Sequence, residues 1–226
     1  MTLVRQAETV LLTDQVYMAL YEAILNGQLP AGTRLKVRDL AEQVGTSVMP
    51  VRDAITRLEE AGLAERKPHK GAVVTDLTFA ELTNIYEVRR ILEREASSLG
   101  VANLTSADCD RMELELKDMT NAINNRDIVS YLNSDEAFLE IIYNAAGNPV
   151  LVSQIKSLWV RCRSYKIVGA RRSFDLDQRE TLWQHQENLL AIARKNDSAK
   201  AGKITEKSLQ EASDRIKITL ASKNSN

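Results

Sequence analysis

The chain is poor in residues that punctuate or staple a fold. Its 226 residues include 9 Gly, 4 Pro and 2 Cys. Cys109 and Cys162 form no zinc spacing and no disulfide framework, which fits a reducing cytoplasm. Histidine is as scarce, with His69 and His185 the two in the chain. No stretch approaches the run of about 18 apolar residues that a membrane helix needs. The N-terminus, MTLVRQAETVLL, has one Arg and too short an apolar run for a signal peptide. Enzyme signatures are missing too: there is no Gly-rich phosphate loop, no nucleophile motif and no recognisable acid/base carboxylate pair, and no cofactor is implied. A net charge of −1 supplies no bulk attraction to nucleic acid.

The remaining composition favours helix. Apolar residues make up 44% and charged residues 27%, with Leu, Ala, Glu and Lys abundant. The length suits two domains. Residues 1 to 12 read as a loosely held arm. Thr13 or Asp14 can cap a first helix with Val16, Leu20, Ala23 and Ile24 on one side, ending near Gly27.

Residues 30 to 75 organise the rest. Val37, Leu40, Ala41 and Val44 repeat at helical spacing and stop at Gly45. Ser47 offers a hydroxyl as N-cap, and Val51, Ala54, Ile55 and Leu58 form the next apolar stripe. Met49, Arg52 and Thr56 lie on a neighbouring, solvent-facing side. One face packed and one free is what a helix-turn-helix needs to enter the major groove. Beyond Gly62, residues 64–67, a Pro-His-Lys-Gly turn and residues 72–74 read as a hairpin with Arg66, Lys67 and Lys70 near its tip, a wing suited to phosphates. The stretch holds eight Lys/Arg and six Asp/Glu. A DNA reading therefore rests on where the charges sit, since a solvated helical surface has a similar count.

A joint at Asp76-Leu77-Thr78 divides a winged helix-turn-helix domain, 1–76, from a helical domain, 77–226. Helices are expected at about 78–99, 105–124, 127–146, 149–170, 177–195 and 197–221, with breaks at Gly100 and between Gly169 and Ser173, and a polar tail from Ser222. The fold class is mainly α: an N-terminal winged helix-turn-helix plus a C-terminal antiparallel all-helical bundle.

Several apolar stripes of the second domain carry one polar residue each. Arg89 stands among Leu82, Ile85, Leu92, Ala96 and Leu99; Asp135 among Ile128, Leu132, Leu139 and Ile142; Gln186 among Leu182, Leu189 and Ala193; Ser208 between Ile204 and Ala212. Buried polar groups need partners, either one another or a bound ligand. Arg89 can pair with Glu93 or Asp135 as scaffolding, or hold a carboxylate in its guanidinium fork. Arg163 reads as solvent-facing; Cys109, Cys162, Trp159 and Trp183 read as core.

In Pro30, Gly32, Leu35, Leu40-Ala41, Gly45, Ser47, Pro50-Val51-Arg52, Leu58, Gly62-Leu63 and Gly71, the first domain resembles the DNA-binding domain of the GntR family of bacterial transcription regulators. Tyr86-Glu87-Val88-Arg89, Leu92-Glu93, Asp135, Phe138 and Ala145 to Pro149 extend the resemblance to the FadR-type subfamily, which has a helical effector-binding and dimerising domain. The resemblance implies a cytoplasmic homodimeric regulator, a repressor by expectation, on palindromic operator DNA, with a small-molecule effector, a carboxylate by expectation, and no membrane partner. It places Arg38, Ser47, Val48, Met49, Pro50, Arg52, Lys70 and Gly71 at the DNA and Arg89, Asp135, Gln186 and Ser208 at the effector. Arg52 is the first choice for reading guanine. Arg38 reads a base or clamps a phosphate. Val48 stands where relatives often have Arg and offers an apolar surface. Many relatives bind a metal through an Asp and three His. The matching positions here are Asp135, Leu139, Gln186 and Ser208, so no such site is expected, though a weak one through Asp135 and His185 stays open. Two alternatives remain: a dimeric DNA-binding protein without effector, and a helical enzyme with a degenerate wing domain.

Overall fold

A computed structural model describes the backbone of residues 3–176 and 178–223, and side chains of residues 12–176 and 178–220. The chain divides into two compact units, Met1–Leu77 and Thr78–Asn226. The tail expected from Ser222 falls mostly outside the described residues.

The first unit opens on helix α1, Leu3–Leu25. The arm expected over residues 1–12 is instead helical from Leu3, in a segment with no Gly or Pro to stop it. Helix α2, Val37–Gln43, and helix α3, Val48–Glu60, follow. Between them Gly45 takes φ +67°, and the amides of Gly45 and Thr46 close on the Glu42 and Ala41 carbonyls. This paired closure ends α2 and turns the chain into α3. Buried Val51, Ala54, Ile55 and Leu58 pack α3 against α1, whose Val16, Leu20 and Ile24 are buried too. Arg57 reaches across to Asp14 at 2.5 Å and lies over the Tyr17 ring. Val44 ends exposed, outside the stripe expected for it. Strands β1, Ala64–Lys67, and β2, Gly71–Val74, pair antiparallel with Ala64 opposite Val74. A bridge from Arg34 to Val73 adds a third short edge.

The second unit is helical throughout the described residues: α4 Phe79–Val101, α5 Ser106–Asn124, α6 Ile128–Ala145, α7 Pro149–Asp175, a 3-10 turn Arg179–Leu182, α8 Gln184–Ala193 and α9 Ser198–Lys223. Local chemistry sets the starts. Thr78 with Glu81 and Thr105 with Asp108 form reciprocal capping boxes, and Asn148 caps α7 ahead of Pro149. Helix α4 is central and packs on α9, α6 and α7. Phe138, Ile142, Tyr143, Ile155 and Trp159 fill the main core, and Met119, Ile123, Leu132 and Ile167 a second one.

The structure departs from the sequence reading at three points of the second unit. The break expected between Gly169 and Ser173 does not occur, and α7 runs on to Asp175. A Cβ on Gly169 would stand 3.0 Å from Ile216 Cγ1, so this glycine lets α9 approach. The segment expected as one helix over 177–195 splits into the 3-10 turn and α8, while Asp177 lies outside the described residues. Leu99 faces outward at 42% exposure.

Gly100 lies inside α4 where α6 passes closest. A Cβ there would fall 1.9 Å from the Ile142 carbonyl oxygen. Gly100→Ala should therefore lower stability by about 1–3 kcal/mol through forced separation of the two helices. Urea unfolding measures this; an unshifted midpoint would show that α6 yields freely.

Candidate nucleic-acid interface and ligand cavity

Helix α3 buries one side and exposes another. Val48, Met49 and Arg52 are exposed, Met49 at 60%. Pro50 belongs to the opposite set. It is buried with Val51, so its role in this face is corrected from contact to positioning: near the helix start it fixes φ and seats the first turn. Ser47 occupies the N-cap position in extended geometry but makes no capping hydrogen bond. Its exposed hydroxyl is left over for another acceptor or donor.

Arg38, Arg52, Lys70 and Gly71 line one groove, which the structure completes with Arg34, Lys36 and Arg66. Lys36 bonds Asp39 at 3.2 Å and Arg66 bonds Glu59 at 3.0 Å. Among the described residues, Arg34, Arg38, Arg52 and Lys70 have no ion-pair partner, and all four are exposed. The pairing with Glu42 that would make Arg38 a plain surface charge is not formed. Gly71 at φ +73° and His69 at φ +62° shape the wing tip that brings Lys70 to the groove. Arg34 escaped the sequence reading because it lies on a short bridge, outside any helix pattern. Charge density in one place, rather than net charge, makes the surface anionophilic.

The second unit encloses a cavity lined from five helices and the 3-10 turn. Arg89, Asp135, Gln186 and Ser208 all line it, as does Leu139. Their partners differ from one another. Arg89, 2% exposed, donates from Nε to Glu93 Oε1 at 2.7 Å and from Nη1 toward Cys162 Sγ at 3.4 Å. Glu93 also accepts from Trp159 Nε1 at 2.9 Å and the Tyr143 hydroxyl at 3.0 Å. Burial opposes the charge on Arg89, but the Glu93 carboxylate outweighs it and holds the guanidinium firmly protonated. The scaffolding alternative for Arg89 is therefore formed, with Glu93 as its partner.

Asp135 accepts from Gln186 Nε2 at 2.6 Å and from Lys166 Nζ at 3.2 Å. Lys166 also bonds Glu136 at 3.1 Å, and Glu136 takes Arg163 at 2.6 Å. Arg163 is thus buried at 4% exposure instead of facing solvent; burial is tolerable because its charge is matched. Lys166 was legible by the criterion that found Arg89. It interrupts Ile155, Trp159, Cys162 and Ala170 on the buried side of α7. Tyr86 lines the cavity as well, 4% exposed, with a hydroxyl that has no hydrogen-bond partner. Cys109, Cys162 and Trp159 are buried.

The donor set does not fit a metal ion. Asp135 is already neutralised by an ammonium, Leu139 has no donor atom, and an amide and a hydroxyl are weak ligands for transition metals. His185 is held by Glu211 at 2.7 Å.

Known proteins agree with this geometry. The model for bacterial regulatory proteins of the gntR family matches residues 12–74, and the FCD domain model matches residues 84–211. The chain is a member of the gntR family with an FCD domain. The HTH-type transcriptional regulator McbR of Escherichia coli K12 is 31% identical over 82% of this chain and 84% of its own. The HTH-type transcriptional repressor RspR of the same strain is 22% identical over 90% of this chain and 88% of its own. The solved structure of E. coli McbR/YncC superposes with TM-score 0.74 at 28% identity, covering 95% and 99% of the two chains. This gntR-family protein is a DNA-binding transcription regulator and not an enzyme, and among its described residues no helix is long and apolar enough to cross a membrane.

Glu136, which bonds the cavity residue Lys166, makes the stability of the fold depend on pH. Burial raises its pKa, but the Lys166 ammonium and the Arg163 guanidinium together hold it below the ordinary 4.5. Its ionised form stabilises the fold above that ordinary value, and the contribution is lost as pH falls through the lower folded value. Glu136→Gln should cost about 3 kcal/mol or more at neutral pH, by leaving buried cations under-compensated. It should also flatten the loss of stability below pH 4.5. Urea midpoints across the acid range check both, and an unchanged acid slope would count against the pairing.

Proposed function

We propose that the protein is a cytoplasmic repressor that binds a palindromic operator as a homodimer and changes its operator affinity when a small organic acid enters the FCD cavity. The observation that carries the DNA side is the groove where unpaired Arg38, Arg52 and Lys70 meet beside the exposed face of α3. A fork of two parallel donors suits Arg52 to O6 and N7 of guanine. Lys70, beside Gly71 at the wing tip, neutralises phosphate, and Ser47 adds a hydroxyl to the backbone. Val48 and Met49 present apolar surface suited to a thymine methyl group.

Repression is the role in the name of RspR, and it comes to this chain through that likeness. A two-fold assembly is supported by Val88, Ile91 and Leu99, which are exposed along one side of α4. Such a side is costly to leave wet, and a symmetric dimer presents two reading helices to two half-sites. The cavity supports the effector role, because polar groups facing enclosed space are positioned to meet a polar ligand.

With an operator selected from a randomised DNA pool, Arg52→Ala should weaken binding by about 1–3 kcal/mol and relax preference at one position. Lys70→Ala should weaken all sequences alike and lower the salt slope by about one. Gel shifts at several salt concentrations measure both; wild-type affinity and base preference in Arg52→Ala would remove that residue from the reading role.

Adding a panel of organic acids to the same assay tests regulation. At least one should change operator affinity by roughly 5- to 150-fold, the usual range of coupling between sites. A panel without effect would favour the reading in which the helical domain only dimerises.

A further inference from the structure

Cations along the groove of the first unit fall into two classes. Lys36 holds Asp39 at 3.2 Å and Arg66 holds Glu59 at 3.0 Å, so each of these pairs brings no net charge to the surface. Arg34, Arg38, Arg52 and Lys70 line the same groove, are exposed, and have no ion-pair partner among the described residues. Arg38 stands on α2, Arg52 on α3 and Lys70 at the wing tip. Arg34 has a different support. Its backbone bridges to Val73 of β2. On either side of it, the Val74 amide donates to the Thr33 carbonyl at 2.8 Å and the Leu35 amide to the Ala72 carbonyl at 2.9 Å. Leu35 is 3% exposed, and side chains alternate along an extended segment, so Arg34 is turned toward water. The outcome is an unmatched guanidinium on a fixed stretch of backbone that ties the wing to the start of α2.

We propose that Arg34 clamps a phosphate of the operator backbone whatever the base sequence, while Lys36 and Arg66 are spent on their carboxylates and add nothing to the grip. This rests on the reading of the groove as the surface that meets DNA, and it assigns a residue outside the positions that carry the likeness to the family. The division has a physical signature in salt. A free cation that meets a phosphate releases condensed counterions, and a neutral pair carries its own anion to the phosphate and releases none on balance. Each free cation multiplies affinity by the salt concentration raised to about −0.9, roughly eight-fold at 0.1 M salt and close to nothing at 1 M. Arg34 costs the free protein no pairing to redeploy, and its fork of donors suits phosphate oxygens. Its bound backbone limits the ordering still to be done when DNA arrives.

The test is a salt titration of DNA binding by the full chain, on the operator selected from the randomised pool and on an unrelated duplex. Arg34→Ala should weaken both by about eight-fold per half-site near 0.1 M salt and lower the slope of log K against log salt by about one per half-site. Arg34→Lys should keep the slope, since the charge remains. Both variants should keep the wild-type Tm, because the side chain is exposed and unpaired. The matched double variants Lys36→Ala with Asp39→Ala, and Glu59→Ala with Arg66→Ala, should leave the slope unchanged. A wild-type slope in Arg34→Ala would overturn the assignment. So would a loss confined to the selected operator with relaxed base preference, which would make Arg34 a reader of bases. A slope lowered by a full unit in either double variant would overturn the division into free and spent cations. Wild-type protein that binds neither duplex would remove the DNA reading of the groove altogether, whereas salt-dependent wild-type binding that Arg34→Ala leaves untouched removes this assignment alone.

Discussion

The helical domain depends on matched burial of charge. Glu93, fully enclosed, lies 2.7 Å from Arg89 one turn away, so the two buried charges offset each other. Tyr143 and Trp159 complete its coordination from α6 and α7, so one carboxylate on α4 orients side chains from two other helices. The second cluster, Asp135, Glu136, Arg163 and Lys166, ties α6 to α7 in the same way, and Gln186 adds α8. Ion pairs of this kind contribute little net stability compared with apolar substitutes. Losing either member strands the other's charge, so each pair disfavours arrangements of the helices that separate its members.

The same arrangement explains how far the sequence could be read. Helix boundaries in the bundle followed from Thr78, Thr105 and Asn148, whose short polar side chains satisfy free amides at helix starts. Apolar stripes with a single polar member led to Arg89, Asp135, Gln186 and Ser208, and the structure draws all four to one cavity. What the stripes could not reveal was the pairing. Choosing between Glu93 and Asp135 for Arg89 requires knowing how α4, α6 and α7 are rotated, which is tertiary information. Arg163 was misjudged for this reason: its partner Glu136 is 27 residues away. Glycine misled in a different way. Gly169 looks like a helix end in one dimension and is a contact point in three.

In the first unit the local signals were stronger, because the motif is almost entirely local in sequence. Gly45 forces the turn, the stripe from Val51 to Leu58 fixes the buried side of α3, and the exposed side follows by subtraction. Pro50 shows the limit of subtraction. It sits between exposed Met49 and exposed Arg52, yet packs inward with Val51. Membership of a motif does not place a side chain on the motif's working face.

Helix α4 joins the two halves of the functional problem. It is capped by Thr78, the first residue of the second unit, and carries Tyr86, Arg89 and Glu93 along the wall of the cavity. A ligand changes operator affinity only through a difference in its own affinity for two arrangements of the protein. A wall element that starts at the boundary between units has the shortest covalent route for such a difference to act. Gly100 and Gly202 set α4 hard against the Ile142 carbonyl of α6 and against α9, leaving little slack for a small displacement to be absorbed locally.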